Sequence, residues 1–215
     1  MNEPRQIRIE PFALGDYQTN CYIVHDATQC FVADCGDRPE PLLDRLDELG
    51  LEPEAFVLTH AHLDHIAGLH AARRRYAGSP IWIHPLEAPW LLDTEQNLSA
   101  LAGQPVTAPP SDRTIEHGES LDLVGGPWEV RHAPGHSPGS VVLFSASLGI
   151  AISGDTVFAG SIGRTDFPGC DFETLEASIR REIYSLPEDT TLLPGHGPPT
   201  TVGRERSTNP FVKAN

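Results

Sequence analysis

The chain has 215 residues, 39% apolar and 21% charged, with 19 glycines and 20 prolines, a globular, loop-rich composition long enough to bury about 70% of its unfolded surface. Thirty acidic against fifteen basic residues give a formal charge of −15, which repels phosphate backbones and argues against a nucleic-acid partner. No apolar run approaches the roughly 20 residues that cross a bilayer, and the start, MNEPRQIRIEPF, lacks the apolar stretch of a secretory signal, so a cytoplasmic protein without membrane contact is expected.

In chain order, Ile7 to Phe12 alternates as a strand, and Cys21–Val24 and Cys30–Ala33 suggest a hairpin. Leu42, Leu43, Leu46 and Leu49 follow Pro39 and Pro41 on one helical face that stops at Gly50. Ala55–Leu58 is a strand of the buried type. Ile66, Leu69, His70 and Arg73 have helical spacing up to about Gly78, and Ile81–Ile83 is again strand-like. Residues 97–111, rich in Gly and Pro, read as a surface loop. Four strands are expected at Leu121–Val124, Trp128–Arg131, Val141–Phe144 and Ile150–Ile152. A helical stripe follows at Leu175, Ile179, Ile183 and Leu186, and a last strand at Thr190–Leu193. There is no repeat and no linker, so one domain over residues 1–215 is expected, with α/β or α+β sandwich character. Cys21, Cys30, Cys35 and Cys170 form no C-x-x-C pair and read as free thiols. Trp82, Trp90 and Trp128 read as core or loop anchors.

The chemistry concentrates in Thr59-His-Ala-His-Leu-Asp-His65, where His60, His62, Asp64 and His65 follow a strand and enter a helix. Ligands of open α/β sheets collect at such strand ends. His60 and His62, two apart in extended chain, point to one side, whereas Asp64 and His65 on the turn can face a second position. One segment can thus serve two neighbouring metal ions, and imidazole with carboxylate suits zinc, iron or manganese. Three later residues fit the same centre: His136 in Ala133-Pro-Gly-His-Ser-Pro-Gly-Ser140, Asp155 in Ser153-Gly-Asp-Thr156, and His196 in Leu193-Pro-Gly-His-Gly197. Each stands near a strand's C-terminal end beside a glycine that permits a sharp turn. His25, His70, His84, His117 and His132 are read as non-ligands.

THAHLDH, APGHSPGS, SGDTVF and LPGHG, in that order, resemble the metallo-β-lactamase superfamily. The resemblance implies a four-layer αβ/βα sandwich with its metals in a groove at one edge of two packed sheets. It implies a first metal on His60, His62 and His136, a second on Asp64, His65 and His196, and Asp155 bridging the two. Gly160-Ser-Ile-Gly-Arg-Thr-Asp-Phe-Pro168 and Glu205-Arg-Ser-Thr-Asn-Pro-Phe211 are similar to compact relatives of glyoxalase II, the hydroxyacylglutathione hydrolases. Asp155 stands where true β-lactamases usually carry Cys. Nineteen residues follow His196, so the helical C-terminal domain of long glyoxalase II enzymes is expected to be absent.

The implied function is hydrolysis of a thioester resembling S-lactoylglutathione, with two divalent metal ions as cofactors, zinc ahead of iron or manganese. Such a pair lowers the pKa of a held water to about 7, and the hydroxide so formed attacks the carbonyl. Asp64 and Asp155 are the candidate catalytic carboxylates. Arg164 is the first candidate to receive an anionic substrate group, ahead of Arg204 and Arg206. Asp34, in Ala33-Asp-Cys-Gly36, is expected to orient a ligating histidine. Alternatives from the same fold are a mononuclear-iron persulfide dioxygenase on His60, His136 and Asp155, a lactonase or other thioesterase, and a metal-binding module without activity.

Overall fold

Alternation along the strands creates apolar faces on both sides of two sheets, and the architecture follows from covering them. The computed structural model describes residues 6–213; the first five residues of the start read above, and the last two of the span 1–215, lie outside the described residues. The first sheet runs in chain order through β1 (Arg8–Leu14), β2 (Thr19–His25), β3 (Cys30–Ala33), β4 (Phe56–Val57), β5 (Ile81–Ile83) and β6 (Arg113–Thr114). Its first three strands pair antiparallel, and β3 to β6 pair parallel. The second sheet contains β7 (Ser120–Leu121), β8 (Trp128–His132), β9 (Val141–Ser145) and β10 (Ile150–Gly154). A hairpin of β11 (Val157–Phe158) and β12 (Ser161–Ile162) follows, and β13 (Thr191–Pro194) and β14 (Thr200–Thr201) complete the sheet in the order β14-β13-β10-β9-β8-β7. Only β10 and β13 pair parallel there.

Three apolar layers result. On β2, Ile23 turns toward α1 (Glu40–Leu49), α2 (Leu63–Ile66) and α3 (Leu69–Arg75), joining Leu42, Leu46, Ile66 and Leu69. Its neighbour Val24 turns the other way and meets Phe31, Trp128, Val130 and Leu143 between the sheets. On β9, Leu143 enters that middle layer, while Val142 and Phe144 pack against α4 (Phe172–Ser178), its π-helical continuation Ile179–Ile183, and α5 (Val202–Thr208). Helices, sheet, sheet, helices make the expected four-layer αβ/βα sandwich, because period-two burial leaves neither sheet a face for water. Helix α1 keeps its expected limits: Pro41 lies in the first turn, and Gly50 closes the helix at φ 66. The four cysteines are unpaired, three of them buried. No helix among the described residues is long and apolar enough to cross a membrane.

The structure corrects three readings. The helix expected from Ile66 onward is split into α2 and α3 around Gly68, where an added Cβ would stand 2.3 Å from the Gly36 carbonyl oxygen. The loop after β3 occupies that notch, and Gly68 N donates to Cys35 O at 2.9 Å. Of Leu121–Val124 only Leu121 pairs as strand; Leu123 and Val124 are buried but turn away toward Gly125-Gly-Pro127. Residues 97–111 are not simply surface loop. Asn97 and Ser99 are fully buried, because their side chains bond the loop's own backbone: Asn97 donates to Val106 O at 2.9 Å, and Ser99 Oγ accepts from Val106 N at 2.9 Å. The elements that sequence reading missed, the 3-10 helix Ala88–Leu92, β6, β11, β12, β14 and α5, are two-residue strands or helices of five to seven residues, too short to show periodicity.

Candidate metal centre

Every candidate ligand lies just beyond a strand, at one edge of the sandwich. His60 follows β4, His136 follows β8, Asp155 follows β10 and His196 follows β13. His62 stands at the N-cap of α2, and Asp64 and His65 lie in its first turn. The two sheets are bonded together at this edge. Asn20 N donates to Gly195 O at 2.7 Å and Tyr22 Oη to Pro194 O at 2.7 Å, so the first sheet holds the His196 loop of the second. Val141 N donates to Thr59 O at 2.9 Å, fixing the backbone beside His60. Two glycines allow this approach for different reasons: Gly154 takes φ 47 before Asp155, whereas a Cβ on Gly195 would lie 2.2 Å from Asp155 Oδ1.

The structure brings all seven residues together. Ligand atoms of His60, His62 and His136 lie within 4.8 Å of one another, as do those of Asp64, His65 and His196, and those of His60, His65 and Asp155. His62 Nδ1 and His136 Nε2 are 2.9 Å apart. Asp155 reaches both sets: Oδ1 is 3.3 Å from His65 Nε2, and Oδ2 is 3.5 Å from His136 Nε2 and 3.4 Å from His196 Nε2. His196 Nε2 is also 3.2 Å from Asp64 Oδ2. Donors around a tetrahedral zinc, each at about 2.0–2.1 Å, stand roughly 3.3 Å apart, so this spacing fits cation binding. The buried atoms His60 Nε2, His65 Nε2 and Asp155 Oδ1 have no hydrogen-bond partner, a penalty that a cation removes.

Electrostatics point the same way. Burial, with the neighbouring imidazoles, pushes His60 well below its usual range and His62 down to about 3, favouring neutral rings with free lone pairs. Burial also opposes charge on His65 and His196, yet acidic neighbours prevail. Asp64, Asp34 and Asp155 hold His65 well above the ordinary imidazole range, and Asp155 and Asp64 raise His196 to about 9. Asp155, despite burial, is kept well below the carboxylate range by His65 and His196. The carboxylates therefore demand positive charge at this point.

A surrounding shell fixes the rings. Asp34 sits at φ 59, a conformation Asp tolerates. It accepts from Thr59 N and Thr59 Oγ1, each at 2.8 Å, and from His65 Nδ1 at 2.8 Å. Thr59 Oγ1, its proton given to Asp34, can accept from His60 Nδ1 at 3.1 Å. Asp34 thus orients one histidine directly and another through Thr59, leaving both Nε2 atoms for the centre, wider than the single contact expected. Thr19 Oγ1 donates to Asp64 Oδ2 at 2.6 Å.

Sequence reading missed Glu87. Its carboxylate is fully buried and accepts from Ala61 N at 2.5 Å, between His60 and His62, and from Ser137 Oγ at 2.5 Å and Gly139 N at 2.7 Å, beside His136. Burial pushes its pKa up against these bonds. One side chain thereby ties together the loops that carry the first three histidines. The available signal was a lone acid within the apolar run Ile81-Trp-Ile-His-Pro-Leu-Glu-Ala-Pro-Trp-Leu-Leu92.

Arg164 departs from expectation. It lines the pocket of about 390 Å³ over the centre, but its guanidinium donates to both Asp166 oxygens, at 2.9 and 2.8 Å, and lies 4.1 Å from the Phe167 ring. What Arg164 gives the centre is its backbone oxygen, which accepts from His136 Nδ1 at 2.9 Å and turns Nε2 inward. Arg204 and Arg206 do not line the pocket; Arg206 pairs with Glu188. The five histidines read as non-ligands lie outside the three ligand groups, His84 stacking on His132 at 4.3 Å.

Comparison with known proteins adds independent findings. A family model described as the metallo-beta-lactamase superfamily matches residues 14–196. The chain is 35% identical over 211 residues to the hydroxyacylglutathione hydrolase GloC of Haemophilus influenzae, covering 97% of this chain and 99% of the relative. Among solved structures it is similar to BLEG-1, described as a B3 metallo-beta-lactamase, with a TM-score of 0.91, 40% identity, and 95% and 99% of the two chains covered. It is also similar to TTHA1623 in a di-iron-bound form, with a TM-score of 0.84, 39% identity, and 94% and 100% covered.

Proposed function

The chain belongs to the metallo-beta-lactamase superfamily, and from that premise we propose that it is a dinuclear-metal hydrolase that cleaves a thioester. The observation that carries this reading is Asp155, whose two oxygens lie within 3.5 Å of nitrogens from both histidine sets. His60, His62 and His136 would hold one ion, Asp64, His65 and His196 the other, and Asp155 would touch both. Zinc comes first for imidazole and carboxylate donors, with iron or manganese as alternatives; the di-iron form of TTHA1623 supports a two-metal centre. Bound there, two divalent ions would supply ionised water at neutral pH and stabilise a developing oxyanion.

The protein's own part is positioning. Asp34, Thr59 and the Arg164 carbonyl hold protons on the outward nitrogens of His65, His60 and His136, so that lone pairs face the centre. Asp64, tethered by Thr19 and lining the pocket, would orient an incoming water as well as ligate. The bond broken is carbonyl carbon to sulfur; thiolate departs readily because its conjugate acid has a pKa of about 8.5. The likeness to the Haemophilus influenzae hydroxyacylglutathione hydrolase supports a thioester as the class of bond.

The test is metal analysis of purified protein together with hydrolysis of S-lactoylglutathione and of an uncharged thioester. Two equivalents of metal with thioester turnover are expected, and Asp155→Ala should lose both. A full metal count and normal turnover in Asp155→Ala would remove the bridging role. One iron with oxygen uptake on glutathione persulfide would replace the hydrolase with a dioxygenase, and turnover of a β-lactam or lactone alone would replace the thioester.

A further inference from the structure

Above the centre, the pocket is walled by Tyr17, Leu98, Leu101, Ala102, Phe158 and Phe167. Leu101 is 67% exposed and Tyr17 49% exposed, so apolar surface faces water at the mouth and would gain from being covered. Candidate ligands aside, the single cationic side chain lining this pocket among the described residues is Arg164. Its Nε–H and one Nη2–H are taken by Asp166 in a bidentate pair that neutralises its charge, and the guanidinium lies 4.1 Å from the Phe167 ring. A substrate carboxylate that reached the remaining guanidinium N–H groups would meet an ion pair without net charge and would stand beside the Asp166 carboxylate, so the attraction is weak. The chain's formal charge of −15 adds repulsion at longer range.

We propose that this pocket takes thioesters whose acyl and thiol portions are uncharged and apolar next to the carbonyl, and that it does not recognise the carboxylates of a glutathione carrier. The proposal rests on the thioester-hydrolase reading and narrows it. It shares with the Haemophilus influenzae relative the bond attacked, and departs from the thiol in that relative's name. Specificity then comes from burying carbon against the six wall residues, with the thioester oxygen and carbonyl carbon directed to the centre.

The experiment compares S-butyryl-N-acetylcysteamine with S-butyrylglutathione on the metal-loaded protein, so that the acyl group is constant and the carrier alone changes. The neutral ester is expected to have a kcat/KM at least about tenfold higher, with little dependence on salt. Asp166→Asn, which frees the Arg164 guanidinium, should lower KM for the glutathione ester severalfold while leaving the neutral ester within about twofold. Leu101→Asp, at an exposed position that folding does not need, should raise KM for the neutral ester severalfold. Equal or better use of the glutathione ester by the unaltered protein overturns the proposal while leaving thioester hydrolysis intact. Turnover of neither ester by protein carrying its full metal complement overturns the thioester reading itself, and this narrower proposal with it.

Discussion

The floor and the walls of the pocket are built by opposite means. The floor is polar and mostly buried: of its seven ligand-type side chains, His65, His60, Asp64 and His136 are held by Asp34, Thr59, Thr19 and the Arg164 carbonyl, and Glu87 braces the loops that carry three of the histidines, with groups drawn from both sheets and the loops between them. The walls are apolar, partly exposed, and taken largely from loops and the β11 hairpin, with Leu98, Leu101 and Ala102 from the 97–111 segment and Phe158 from β11. A polar group buried in the floor must be satisfied from a fixed direction, so each side chain there depends on several others. A wall residue contributes contact area, which adds without strict geometry. Substitutions in the floor should therefore spread to metal content and stability, whereas substitutions in the walls should stay confined to KM.

Outside the candidate ligands themselves, the largest effect is expected at Asp34. Asp34→Ala removes the acceptor for His65 Nδ1, Thr59 N and Thr59 Oγ1 together. Metal affinity and turnover should both fall about 10- to 100-fold, read by metal titration alongside kinetics. Retention of both would mean that packing alone orients the rings, and the contrast between floor and wall would collapse.

Glu87→Gln sharpens the same contrast at intermediate strength. Glutamine keeps one acceptor oxygen where the carboxylate serves three donors with two, so at least one buried N–H or O–H loses its partner, at about 1–3 kcal/mol. Denaturant unfolding should register that loss, and the first metal set, His60, His62 and His136, should weaken more than the second. Uniform weakening of both sets, or none, would show that Glu87 braces the fold without positioning ligands.

The smallest effect belongs to the wall. Leu98→Ala should leave metal content and kcat within about twofold and raise KM for an apolar thioester by tenfold or less, in keeping with the 1–3 kcal/mol that a pocket's methylene contacts supply. Loss of metal in this variant would tie the 97–111 segment to the floor, for which its bond from Leu63 N to Asn97 O at 2.9 Å is the available route.

Much of the floor could be read from the residues themselves. Strand ends followed by His-x-His-x-Asp-His, and by Gly-flanked His136, Asp155 and His196, are local patterns, and the alternation of β2 and β9 set the layering because side-chain direction has period two. Asp34 was also visible, as an acid directly after a buried strand. The supporting contacts were not. Glu87 meets donors 26, 50 and 52 residues away, and no local pattern encodes a separation of that kind.

Residue type and order along the chain thus pointed to seven candidate ligands, and to the two sheets and the edge where they meet. Tertiary structure alone decided whether Arg164 faces a substrate or a neighbour, because a guanidinium at a pocket rim binds whichever carboxylate the loop brings to it, and here that is Asp166. It also decided that a third of an apparent surface loop is buried, since Asn97 and Ser99 can leave water only where folded backbone supplies their hydrogen bonds.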